Sequence, residues 1–95
     1  MRPLIACCND PDPIIRFYAT EALQKLRSGR AVDALTQRLN DKNEQPKIRK
    51  RAADALWTIR SYSALEGLKE RSLDIEEDPQ IRSYITELLG HSTAP

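Results

Sequence analysis

The sequence predicts an all-α fold, an α-α superhelix (α-solenoid) of about three helical hairpins and six helices. The first observation is a repeated opening. Pro13-Ile14-Ile15-Arg16, Pro46-Lys47-Ile48-Arg49 and Pro79-Gln80-Ile81-Arg82 start 33 residues apart. The second is the ladder behind it: Ala19, Ala22, Leu23 and Leu26 in the first unit become Ala52, Ala55, Leu56 and Ile59 in the second. Apolar positions three and four apart share one helix face, and a period near 33 residues marks stacked helical hairpins. The third is composition. Aromatic residues are 5% and charged residues 31% of the chain, so the core is built from many small contacts between neighbouring helices.

Residues 3–8 read as a short first helix. Pro3 suits a first turn, where its missing N–H is not needed, and Leu4 and Cys8 share a face. Asn9-Asp10-Pro11-Asp12 is a turn, with Asp12 as N-cap. The second helix runs from about Pro13 to Arg27 and turns Ile15, Ala19, Ala22, Leu23 and Leu26 inward. Ser28-Gly29 ends it, with Gly29 in the left-handed conformation. Ala31, Val32, Leu35 and Leu39 mark a shorter helix that ends near Asn40.

Asp41 to Gln45 is the next turn, and the Pro46 helix follows with Ile48, Ala52, Ala55, Leu56 and Ile59 inward. Ser61 to Ser63 is a turn, after which Ala64, Leu65 and Leu68 repeat Ala31, Val32 and Leu35. Gly67 weakens that helix by up to ~1 kcal/mol relative to alanine. The acidic turn Asp74 to Asp78 leads into the last helix, whose N-terminal dipole favours its charges. That helix ends at Leu88-Leu89-Gly90, and His91 to Pro95 is a frayed tail. The 95 residues make one domain, with repeats at approximately 1–28, 29–61 and 62–90. Ile85 and Leu88 replace the alanines of the other repeats, as expected of a terminal unit.

Composition excludes several classes. A net charge of +1 gives no global field for nucleic acid or membrane. Cys7 and Cys8 are adjacent and close no loop, so a reducing, cytoplasmic setting is expected. Leu4-Ile5-Ala6-Cys7 resembles a lipoprotein cleavage box, but only three residues precede it, too few for a signal peptide. No apolar run approaches the ~20 residues that span a bilayer.

The unit Asp12-Pro13-x-Ile15-Arg16 with Ala19 and Ala22-Leu23, then Arg30-Ala31-Val32 with Leu35, then Leu39-x-Asp41, resembles the short HEAT-like repeats. Those named after phycobilisome bilin lyases are the most similar type, and the middle repeat, Arg30 to Ile59, also resembles the consensus of artificial HEAT-repeat binders. The resemblance covers nearly the whole chain and is specific for fold rather than function. It implies that the Pro-x-Ile-Arg helices line a concave face whose outward positions contact partners. Those positions are Phe17, Tyr18, Glu21 and Lys25, then Lys50, Arg51, Asp54 and Thr58, then Ser83, Tyr84 and Glu87. It also implies that Arg16, Arg49 and Arg82 pair with Asp10, Asp41 and Asp74.

Each candidate has a plainer alternative. Phe17, Tyr18 and Tyr84 are either exposed anchors or rings packed along helix edges. Trp57 is expected to fill space between repeats. Lys47, Arg49, Lys50 and Arg51 place four cations in five residues. Acidic neighbours dilute them and no stacking aromatics are interleaved, so nucleic-acid binding is not expected. Catalytic groups are scarce: His91 is the only histidine, no Glu-x-x-His motif occurs, and Cys8 takes the place of core Leu39. No cofactor and no metal site are expected. Two functions remain. One is a non-catalytic module binding another protein or peptide on the concave face. The other, implied only by the resemblance, is a phycobilin lyase subunit or fragment, with Arg51 and Lys25 placed to meet propionates and Cys7 the thiol. The short first helix also fits a chain taken from a longer array.

Overall fold

The computed structural model describes residues 3–90, and the regular structure among them is helical throughout. The elements are α1 (Leu4–Cys7), α2 (Pro13–Leu26), a 3-10 turn (Gly29–Ala31), α3 (Val32–Asn40), α4 (Pro46–Ile59), α5 (Tyr62–Leu73) and α6 (Pro79–Gly90). Helix α4 packs between α2 and α6 in one layer, and α3 and α5 form a second. The domain measures 43 × 27 × 16 Å.

Local chemistry sets the helix ends. A proline opens α2, and Asp12 Oδ1 accepts the Ile14 N–H at 2.9 Å as the N-cap. Pro3 stands just outside α1, in extended conformation, so α1 is shorter than its sequence suggests. Gly29 is not the left-handed residue after α2; Arg27 is, with φ 51°. The same device ends α4 at Arg60, with φ 54°. Gly29 instead opens the 3-10 turn, and the linker from α4 to α5 is Arg60 and Ser61, the latter capping α5 by accepting the Ala64 N–H.

The core comprises mostly alanine, leucine and isoleucine, with Leu35, Leu39, Ala52, Ala55, Leu56, Ala64, Leu68 and Ile85 fully buried. Cys8 joins it, and burial raises its thiol pKa. Two expected core positions fail: Ile15 is 39% and Leu26 65% exposed. Their counterparts Ile48 and Ile59 are better covered, because α4 has a full-length helix on both sides and α2 has only α1 on one. Thr20 is buried instead, its hydroxyl donating to the Arg16 carbonyl at 2.7 Å.

The arginine ladder also differs from expectation. Arg16 does not pair with the Asp10 carboxylate; it bonds the Asp10 carbonyl and makes a two-pronged bond to Glu44 at 2.7 and 2.9 Å. Arg49 pairs with Glu77, not Asp41, and its Nε donates to the Leu39 carbonyl at 2.8 Å. Each arginine therefore reaches forward to the turn of the next repeat. Arg38 and Arg71 complete the two clusters from within that repeat. Arg82 does not pair with Asp74, which Arg71 holds instead, and its Nε is buried without a partner among the described residues.

Close packing at Ala55 yields a direct test. Ala55→Leu should lower stability by ~1–3 kcal/mol through overpacking, read as a lower denaturant midpoint. An unchanged midpoint would place Ala55 outside the helix contact.

Candidate functional site

The eleven predicted partner-binding residues all lie on α2, α4 and α6, and the structure joins five of them, Glu21, Arg51, Asp54, Thr58 and Tyr84, into one polar network. Arg51 is its centre. Its Nη2 lies 4.0 Å from Glu21 Oε2 on α2, and its Nη1 lies 3.9 Å from Asp54 Oδ2. Asp54 Oδ1 in turn accepts the Tyr84 hydroxyl of α6 at 2.6 Å. Burial and that bond push the Tyr84 pKa up to about 12. Gln24, which sequence reasoning missed, accepts from Arg51 at 3.4 Å and donates to Thr58 at 3.2 Å. Thr58 also donates to the Asp54 carbonyl, so it is half-buried between helices rather than presented outward.

Cations lie over aromatic faces along the same strip. Lys47 Nζ and the Arg51 guanidinium sit 5.6 and 5.5 Å from the Phe17 centroid, and Lys50 Nζ sits 5.6 Å from that of Tyr84. Each such contact is worth about 0.5–1 kcal/mol at an exposed site. Phe17 and Tyr84 are therefore half-buried mounts for cations, not projecting anchors. The cationic run is divided as well, because Arg49 is buried against Glu77. The three acidic positions differ: Glu21 and Asp54 face Arg51, while Glu87 is exposed.

Two concavities flank α4. One, of about 380 Å³, lies between α2 and α4 and is lined by Glu21, Gln24, Lys25, Arg51 and Thr58 among others. The other, of about 510 Å³, lies between α4 and α6 and is lined by Lys50, Gln80, Ser83, Tyr84 and Glu87 with Pro79. The rings of Tyr18 and Phe17 form a T-shaped pair with centroids 5.6 Å apart, and Tyr18 lines neither concavity. Trp57 is half-buried as expected of a space-filling ring, with the Arg60 guanidinium 4.2 Å from its centroid.

Among the described residues no three His, Cys, Asp or Glu side chains converge as metal ligands, and no helix is long and apolar enough to cross a membrane. His91 lies outside the described residues.

Comparison with known proteins accords with this architecture. No curated protein matches the chain. The solved structure of human deoxyhypusine hydroxylase in complex with glycerol is similar, with a TM-score of 0.80 and 23% identity. The match covers 92% of this chain but 30% of the hydroxylase, and at that identity it shows a shared fold alone. The model of the HEAT repeats family matches residues 1–90, nearly the whole repeat region, and the chain therefore belongs to the HEAT repeats family.

Proposed function

We propose that the chain is a non-catalytic interaction module that binds an extended polar peptide or protein segment along the concave face of α2, α4 and α6. The observation that carries this reading is the continuity of the Glu21–Arg51–Asp54–Tyr84 network, with a concavity on each side of α4. The strip alternates cations with carboxylates and keeps them at least partly exposed. Such a surface suits a ligand that carries both charge signs and main-chain amides. An apolar ligand would have to strip water from these charges without replacing it. The absence of a His, Cys or acidic constellation at usable sequence spacing supports a binding role rather than a chemical one.

Display selection of peptides against the purified chain supplies a ligand for the test. Phe17→Ala combined with Arg51→Glu should weaken the selected peptide by about tenfold or more, equivalent to ~1.4 kcal/mol. The double variant should keep its helical circular dichroism. Peptide affinity unchanged by it, but lost with Gln37→Ala on α3 or Lys69→Ala on α5, would place the site on the second layer and overturn the reading.

A further inference from the structure

We infer that the groove between α2 and α4 ends in a carboxylate-binding site, where Arg27 and Arg60 take an aspartate or glutamate side chain of the bound peptide. The two arginines are equivalent residues, 33 positions apart. Each is the left-handed residue that ends its helix, with φ 51° and 54°. Together with Trp57 and Thr58 they line a concavity of about 340 Å³. Arg27 and Thr58 also line the 380 Å³ concavity beside Arg51, so the two spaces adjoin. Both walls belong to this chain, because α2 and α4 pack on each other inside the array.

The other arginines of α2 and α4 are already held. Arg16 has Glu44, Arg49 has Glu77, and Arg51 has Glu21 and Asp54. Arg27 and Arg60 are exposed, with no carboxylate in ion-pair reach and no side-chain hydrogen bond among the described residues. Arg60 is nonetheless fixed in place, its guanidinium 4.2 Å from the Trp57 ring centroid. A guanidinium over a ring engages its flat face there and keeps its in-plane N–H fork, which matches the two oxygens of a carboxylate. The counterpart of Trp57 on α2 is Gln24, so Arg27 lacks this mount and supplies the second cation from the opposite wall.

Charge selects the occupant. The C-terminal ends of α2 and α4 bring about half a negative charge each. The full charges of Arg27, Arg60 and Lys25, which lines the adjoining concavity, outweigh them. Two guanidiniums lining one small space repel each other, and an anion between them removes that repulsion. Glu21 stands half-buried in the adjoining concavity and limits how much negative charge the site accepts. A singly charged carboxylate fits that balance better than a doubly charged phosphate. This rests on the groove reading and adds a direction to it: the peptide sets its acidic residue at the C-terminal ends of α2 and α4 and runs back toward Arg51.

Peptides from the display selection, titrated into the full chain by calorimetry, are the test. They should share an aspartate or glutamate at one position, and exchange of that residue for its amide should weaken binding about tenfold. Arg27→Gln combined with Arg60→Gln should weaken the acidic peptide by the same factor and leave the amide peptide unchanged, with the denaturant midpoint retained. Lys42→Gln, which removes a charge from an exposed turn, should change nothing. A peptide that needs Phe17 and Arg51 but binds the double arginine variant as it binds wild type would overturn this site and leave the groove reading standing. A peptide that needs the arginine pair but neither Phe17 nor Arg51 would overturn the groove reading and keep the site. Equal weakening of the acidic and amide peptides would overturn the carboxylate assignment, as would phosphoserine at that position binding about tenfold tighter than glutamate.

Discussion

Glu77→Gln should be among the most destabilising single substitutions in this chain, lowering stability by ~3–5 kcal/mol. The Glu77 side chain has no solvent exposure, and that of Arg49 has 4%. Removing the carboxylate charge leaves a buried guanidinium without its counter-ion, and the desolvation penalty of Arg49 is then uncompensated. Arg71, which also donates to Glu77, is left with Asp74 alone of its two carboxylates. Glutamine keeps the shape, so the loss reports charge rather than volume. Glu76→Gln, one residue away and exposed, is the control and should stay within about 0.5 kcal/mol. Equal denaturant midpoints for the two variants would show that the ladder does not carry stability.

The ladder also sets a pH dependence. Burial alone would push the carboxyls of Glu44 and Glu77 up. For Glu44, hydrogen bonds from Arg16, the Gln45 amide and Arg38 outweigh burial; for Glu77, those from Arg49, the Asp78 amide and Arg71 do. Both groups are held below the usual glutamate value. A depressed folded-state pKa means the unfolded chain binds the proton first as pH falls. The stabilisation is therefore complete above the ordinary glutamate pKa, ~4.3, and is lost as pH drops through the folded-state values. Wild type should lose stability over that acid range, and Glu77→Gln should lose less because one titrating group is gone.

Leu56→Ala is the second large effect, at ~2–5 kcal/mol. Leu56 is fully buried on α4, and α4 touches α2, α3, α5 and α6. The cavity left there opens at the point where both layers meet, and neighbouring helices held by their own ladders cannot collapse into it. A domain of this size has a stability of about 5–15 kcal/mol, so the variant should be only marginally folded at moderate temperature. Leu73→Ala, by contrast, truncates a side chain 76% exposed and should change little. A small loss at Leu56 would mean that repeats separate independently and α4 is not the shared core.

The period was the most legible feature of the sequence, because apolar ladders and prolines recur in register. It placed α2, α4 and α6 within about one residue and named most buried positions on α4. The ladder partners differ from the turn aspartates that the resemblance implies, Glu44 and Glu77 taking their place. Glu44 and Glu77 carry the same 33-residue spacing as Arg16 and Arg49, each two residues before a helix-opening proline. That signal was available. Arg27 and Arg60 were not legible as left-handed residues, since a non-glycine residue gives little sign of that conformation. Nor was the exposure of Ile15 and Leu26, because periodicity reports a face and not whether a neighbour covers it. At the candidate site the residues named from the sequence lie on α2, α4 and α6. The sequence did not show that Tyr84 would be tied to Asp54, or that Phe17 would lie under two cations, because both contacts join residues 30 or more positions apart.

The groove reading is tested most directly by titrating isotopically labelled chain with a selected peptide and following backbone amide shifts by NMR. The account predicts shifts concentrated at Phe17, Glu21, Lys50, Arg51, Asp54, Tyr84 and Glu87, with Gln37 on α3 and Lys69 on α5 unmoved. Shifts clustered on α3 and α5, with the α2–α4–α6 strip silent, would contradict it.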